Sequence, residues 1–297
     1  MDLHRAPDRE AAVLDVALAF DATYAPHAAV VMSTVAAQTP GPLRFWLVAG
    51  DDVAERTRVD MARAAGPEAT VCFLTVDPPQ IRLPGSRNPS LSYLSPAMYL
   101  RLLIPPALPP EVDRLLYLDS DVLCTGSLAQ LRDVDLAGTP VGAVRDAFTR
   151  RLIDAGGLPG IYGSRDLDAQ APYFNSGVLL IDVPRWKELD VTSKALDYVT
   201  RHAHESRFPD QDALNYAVYG NWTRLSKRWN HMMAWRLDPG IGGSLTDASI
   251  LHFAGPVKPW QPSFPKGAHR QLYWSHRRRT DPTGIRRRLP DLVQGGR

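Results

Sequence analysis

Three short apolar runs, VLDVALAF (13–20), LRFWLVAG (43–50) and ATVCFLTV (69–76), are separated by two stretches of helical spacing, PHAAVVMSTVAAQ (26–38) and DDVAERTRVDMARAAG (51–66). Largely apolar strands suit a sheet covered on both faces, and strands joined by helices of this length are laid side by side in parallel through right-handed crossovers. The expected fold class is therefore α/β: a Rossmann-like, mostly parallel sheet flanked by helices. Pro26 falls in the first turn of the first helix, where its missing N–H costs nothing, and Gly66 closes the second.

Further along, SPAMYLRLLIP (95–105) is expected as a helix closed by Pro105. PVGAVRD (140–146), YFNSGVLLID (173–182) and ASILHFAG (248–255) are expected as strands. DQDALNYAVYG (210–220) has Ala213, Leu214, Ala217 and Val218 on one side, with Asp210 as N-cap and Gly220 as stop. Residues 77–92, rich in Pro, Gly, Arg and Ser, read as a long loop, and no repeat or heptad is visible. A chain of 297 residues can build one large core, so a single catalytic domain is expected over 1–267, followed by a basic segment over 268–297.

That segment carries the charge asymmetry. The whole chain has a formal charge of +2, but eight arginines against two aspartates give residues 268–297 a charge of +6 and leave −4 for the rest. With 44% apolar and 22% charged residues the composition is that of a folded globular protein, and the small net charge excludes nucleic acid as the default partner. Cys72 and Cys124 belong to apolar runs and read as small core residues rather than a disulfide or metal pair. Neither a leader-like N-terminus nor a run of about 18 apolar residues is visible, so a cytoplasmic location is expected.

DRLLYLDSDVLC (113–124) ends an apolar run in two carboxylates one residue apart. Residues i and i+2 of a strand point to one side, so if strand geometry persists, Asp119 and Asp121 enter the crevice at the carboxyl end of the sheet, where open α/β sheets bind ligands. Two carboxylates that close repel, and a divalent cation relieves the repulsion. Turn residues leaving a buried strand are the bland alternative. A phosphatase of the haloacid-dehalogenase type is another, although such sites lie near the N-terminus and carry threonine where this chain has Leu123.

VALAFDATY, YLRLL, YLDSDVL, YFNSGVLLIDVPRW, FPDQDALN and LHFAGPVKPW occur in that order from about Leu14 to Trp260. Together they closely resemble the retaining glycosyltransferases of family 8, which include bacterial lipooligosaccharide galactosyltransferases and glycogenin. The resemblance implies a GT-A nucleotide-diphospho-sugar transferase fold, a UDP-sugar donor, and Mn2+, with Mg2+ as a substitute, held by Asp119, Asp121 and His252. Ser120 lies between the two aspartates on the donor. Gly255 and Lys258 would approach the diphosphate, and Arg101 would contact phosphate and donor sugar. Asp146 and Asn175 would hold sugar hydroxyls, Asp210 would accept from the transferred hexose, and Gln211 would stand near the anomeric carbon. Each could instead be a cap or turn residue, and Asn175, followed by Ser176 and Gly177, is turn-like on sequence alone.

An amide is a poor nucleophile, so Gln211 favours same-face substitution over a covalent intermediate, with Asp210 as the nucleophile otherwise. Asp21 resembles the residue that reads uracil, with Ala19, Thr23 and Tyr24 near the base. The chain departs from the family's galactosyltransferases at Thr23, where they have asparagine, and at Tyr93, where they have histidine near the acceptor. Donor hexose and acceptor are open: a glycan, a lipid-linked sugar or a small molecule. The segment 149–172 reads as an acceptor-side lid or as loop filler. The basic C-terminal segment, with Tyr273 and Trp274 as interfacial aromatics, suits either peripheral contact with an anionic membrane or a solubilising tail. A non-catalytic nucleotide-sugar binder stands as a further alternative.

Overall fold

The structure, a computed structural model, describes residues 12–76, 96–155, 158, 167–233 and 247–280. Tyr93, the loop 77–92, much of the expected lid and residues 281–297 lie outside the described residues.

Seven strands form the main sheet: β1 (Leu14–Phe20), β2 (Leu43–Ala49), β3 (Ala69–Phe73), β4 (Arg114–Leu118), β6 (Val141–Arg145), β7 (Phe174–Asp182) and β8 (Thr223–Arg224), in the order β3-β2-β1-β4-β7-β6-β8. The first four are parallel neighbours, β7 runs antiparallel to β4 and β6, and β8 is parallel to β6. The sheet is thus mostly parallel, as the alternation of runs predicts. A smaller sheet, in the order β5-β10-β9, joins β5 (Val122–Cys124), β9 (His231–Met232) and β10 (Ile250–His252).

The central strands of the main sheet are buried on both faces, which is why they read as largely apolar runs. On β4, Leu115 and Tyr117 enter one core with Ala17, Leu179 and Ile181, while Leu116 and Leu118 enter the other with Val16, Leu18 and Leu180. The second face is covered by α1 (Ala25–Gln38), with Pro26 in its first turn, and α2 (Glu55–Ala65) flanks that side. The first face is covered by α4 (Val183–Glu188), α5 (Val191–His202) and α6 (Pro209–Ala217). Cys124 is buried and Cys72 half-buried, and both are free thiols.

Three local expectations are corrected. Residues Pro96–Leu103 form 3-10 turns rather than an α-helix, and Pro105 opens the short α3 (Ile104–Ala107) instead of closing a helix, because proline fits a first turn. Asp210 is not the N-cap of α6: Phe208 is, and Asp210 lies inside the first turn, where a carboxylate faces the positive helix end. The arginine-rich segment begins with α7 (Ala268–Arg279), whose Tyr273 is buried among Phe253, Phe264 and Leu251. Among the described residues no helix is long and apolar enough to cross a membrane.

Candidate active site

The main sheet stops at Leu118 and the small sheet starts at Val122, so Asp119, Ser120 and Asp121 form the turn by which the chain passes from one to the other. The two carboxylates converge through this turn and not through the pleat of a continuing strand, as the i, i+2 argument had it. On the adjoining strand of the small sheet, β10 ends in His252, whose register partner is Val122. One ligand atom from each of Asp119, Asp121 and His252 lies within 4.8 Å of the others.

The residues present fit a divalent cation. Oδ1 of Asp121 is buried without a hydrogen-bond partner, 3.4 Å from Nε2 of His252. Hard carboxylate oxygens with one imidazole suit Mn2+, and Mg2+ less closely. Gly177 keeps the space open, since a Cβ there would stand 2.3 Å from Cε1 of His252. Around the triad the charges are tightly arranged. Nη2 of Arg101 lies 2.8 Å from Oδ1 of Asp119, and the Tyr117 hydroxyl donates to the same oxygen at 2.8 Å. Lys258 donates to Oδ2 of Asp121 and, at 2.9 Å, to the Phe253 carbonyl. Burial pushes the Asp119 carboxyl up despite Arg101, and the charge of Asp121 adds to the push. Burial would raise Asp121 as well, but the Lys258 ammonium beside it holds it well below the usual carboxylate range.

A second polar group adjoins the first. Asn175 and Ser176 lie in β7, buried within the strand rather than in a turn. Oε1 of Gln211 accepts from Nδ2 of Asn175 and from the Ser176 amide, both at 3.0 Å. Asp146 accepts from Asn175 at 3.1 Å and from Nε2 of Gln211 at 3.3 Å, while its other oxygen caps the Phe148 and Thr149 amides at 2.9 and 2.7 Å. Arg101 joins the two groups, because its Nε lies 3.2 Å from Oδ2 of Asp210 and its Nη1 donates to the Ser176 carbonyl at 3.1 Å.

All of this opens on one cleft of about 770 Å³. Of the residues singled out from the sequence, Ala19, Asp21, Tyr24, Arg101, Asp119, Ser120, Asp121, Asp146, Asn175, Asp210, Gln211, His252, Gly255 and Lys258 line it. Thr23 is exposed and does not. Asp21 also accepts from the Tyr24 amide at 2.9 Å, which turns the chain into α1 beside the cleft. Gly255 has φ +85°, a backbone conformation that favours glycine. Sequence reasoning missed Tyr117, Ser176 and Asn230, and also Phe148, Asp154, His204, Glu205, Arg207 and Phe208, which line the same cleft. Tyr117 could have been suspected as a polar tip in an otherwise aliphatic strand. Nothing in the local sequence marks the others.

A sequence model of the family described as Glycosyl transferase family 8 matches residues 15–263. General stress protein A of Bacillus subtilis (strain 168) is 29% identical over 198 residues, 62% of this chain and 66% of that one. The lipopolysaccharide 1,2-glucosyltransferase of Escherichia coli (strain K12) is 30% identical over 181 residues, 58% of this chain and 51% of that one. The chain thus spans less than two thirds of the length of each of these curated relatives. Among solved structures, an active-site mutant of LgtC matches with a TM-score of 0.71 at 25% identity, over 89% of this chain and 95% of that one. The galactosyltransferase LgtC in complex with donor and acceptor sugar analogues matches with the same TM-score at 24% identity, over the same shares, and carries the fold alone.

Proposed function

Because this chain belongs to glycosyl transferase family 8, we propose that it moves a hexose, glucose or galactose, from a UDP-sugar to a glycan, lipid-linked or small-molecule acceptor with retention of configuration. Its fold is that of the GT-A glycosyltransferases. The observation that carries the reading is the convergence of the Asp119, Asp121 and His252 triad with the Asp146, Asn175 and Gln211 network on one cleft.

The triad would hold Mn2+, or Mg2+ in its place, and the bound cation would supply positive charge opposite the leaving diphosphate. Arg101 and Lys258 add fixed positive charge at the same place, with Gly255 letting backbone come close. Ala19, Asp21 and Tyr24 would take the base, with Thr23 at most at its outer edge. Asp146 and Asn175 would orient the hexose. Gln211 is held by Asn175 and Ser176 as a fixed dipole, and the Asp210 carboxylate is drawn on by Arg101, so neither is set up as a strong nucleophile. This supports same-face substitution, in which leaving diphosphate and arriving acceptor share one side of the sugar. A phosphatase reading has no counterpart in the family match, and a silent binder leaves the Gln211 network without a task. The reading places the protein in the cytoplasm, with the basic C-terminal segment able to meet an anionic membrane surface.

A screen of nucleotide sugars for slow donor hydrolysis with Mn2+ tests the reading. One UDP-hexose should be consumed, chelation should stop the reaction, and the double variant Asp119→Asn, Asp121→Asn should lose it. Turnover of phosphomonoesters, or UDP-hexose turnover indifferent to both treatments, would count against it.

A further inference from the structure

Asn230 follows β9's neighbouring 3-10 turn and is fully buried, with each of its side-chain polar atoms engaged. Its Oδ1 lies 2.9 Å from Nδ1 of His252, and its Nδ2 lies 2.8 Å from Oδ1 of Asn175. Amide and imidazole orientations follow from what their partners can do, and here the partners leave one arrangement. The Gly177 backbone N–H can only donate, and it points at Oδ1 of Asn175 at 3.0 Å. The Asp146 carboxylate accepts from the other end of Asn175. Asn175 therefore presents its oxygen to Asn230, Asn230 must answer with its NH2, and the Asn230 oxygen is left facing His252. A neutral imidazole then carries its proton on Nδ1, and its Nε2 lone pair faces the unpartnered Oδ1 of Asp121. Two lone pairs 3.4 Å apart with no proton between them are a place for a cation.

We propose that Asn230 is a positioning residue which locks His252 in the Nδ1–H tautomer and couples the cation site to the sugar-side amides Asn175 and Gln211. The cation part rests on the functional reading above, whereas the tautomer does not. A hydrogen-bonded partner on the far nitrogen of a metal-binding histidine typically changes metal affinity by about 10- to 100-fold when removed.

The tautomer is read first, in the metal-free wild-type protein, from the 15N chemical shifts of His252 assigned by comparison with His252→Asn. A proton on Nδ1 is expected. A neutral ring with its proton on Nε2 and none on Nδ1 would overturn the proposal whatever the protein does with nucleotide sugars. Mn2+ titration followed by electron paramagnetic resonance then separates the two arms. Asn230→Ala should weaken Mn2+ by about 10- to 100-fold. Asn230→Asp still accepts from Nδ1, so its Mn2+ affinity should stay within about threefold of wild type. Its second oxygen, however, opposes Oδ1 of Asn175, acceptor against acceptor, and donor turnover should fall at saturating Mn2+. Equal loss of Mn2+ affinity in both variants, or wild-type affinity in Asn230→Ala, would reduce Asn230 to a packing role. If Asn230→Ala does not fold, the tautomer and Asn230→Asp carry the test. Absence of Mn2+ binding by a wild-type protein with the Nδ1 proton in place would instead strike the functional reading.

Discussion

At Gly177 the absence of one carbon shapes the proposed cation site. An added Cβ would stand 2.3 Å from Cε1 of His252 and 2.8 Å from Oδ2 of Asp119, so it would press on two of the three prospective ligands at once. The residue lies in β7 with ordinary strand backbone, so alanine there costs little locally and the strain falls on the ring. Gly177→Ala is expected to keep the fold, with a modest drop in melting temperature, and to lose about tenfold or more in Mn2+ affinity, as when a histidine ligand loses its support. Paired thermal-melt and Mn2+ titrations check this, and unchanged affinity would show that the ring has room to move. The sequence marks Asp119, Asp121 and His252 through ordered motifs, but Asn-Ser-Gly reads as a turn. Only the pairing of β7 with β4 explains why small and polar residues sit inside a strand: the strand borders the cleft.

Among the elements, α6 does most to place the groups proposed for the sugar side, and it is docked by polar side chains as much as by apolar ones. Asn215 accepts from the Phe174 amide at 3.0 Å and donates to the Phe174 carbonyl at 2.9 Å, pinning the helix to the start of β7 one residue before Asn175. One turn earlier Asp212, fully buried, accepts from the Tyr173 hydroxyl at 2.5 Å and from the Ser206 hydroxyl. Burial pushes its carboxyl up to about 6, even though both hydroxyls pull the other way. An acid raised in the folded state holds a proton that the unfolded chain releases, so its stabilising share is complete below about pH 4 and is lost as pH rises to about 6. Across that window the loss amounts to about 3 kcal/mol. Denaturant titrations from pH 4 to 7 should show Asp212→Asn removing this decline, and parallel curves for the two proteins would refute the assignment.

The same scale shows what the sequence discloses and what it withholds. Strands β1 to β4, β6 and β7 and helices α1, α2 and α6 follow from apolar runs and helical spacing, because burial on one or two faces leaves that imprint. The 3-10 turns at 96–103 leave no separate imprint, since their apolar spacing is close to that of an α-helix. The passage from β4 to β5 is hidden as well: Leu118 and Val122 are both buried, and nothing in LDSDV says that the chain changes sheets between them.

In the whole molecule, the small sheet and α7 hold the Asp121 and His252 side of the cleft against α1. Tyr273 of α7 is hydrogen-bonded to Nδ1 of His27 on α1 at 2.5 Å, and the His27 ring is stacked on Trp260 with centroids 3.6 Å apart. Nε1 of Trp274 donates to the Pro259 carbonyl at 3.2 Å, and Arg270 donates to the Phe264 carbonyl at 2.7 Å. The loop carrying Lys258 is therefore strapped from outside, and the two aromatics expected to meet a membrane are largely spent inside the protein. Ending the chain at Gly267 should cost about 3 kcal/mol or more through the buried Tyr273 alone, whereas ending it at Thr280 keeps every one of these contacts. His27 supplies a signature that distinguishes loss of the strap from general weakening. Burial, with the Arg277 charge, holds its ring down to about 3. A histidine lowered in the folded state binds fewer protons than its unfolded counterpart between about pH 3 and 6.5, so the stability it permits at neutral pH is lost as pH falls through that range. Asp212 works in the opposite direction between about pH 4 and 6, but it lies in α6 and is present in both truncated chains, so it cancels in the difference between them. The stability gap between the two chains, from urea titrations at stepped pH, is expected to narrow from pH 7 towards pH 4, because the chain ending at Gly267 leaves His27 uncovered and free to protonate. A gap independent of pH would place the linkage of α7 to the cleft elsewhere than at His27.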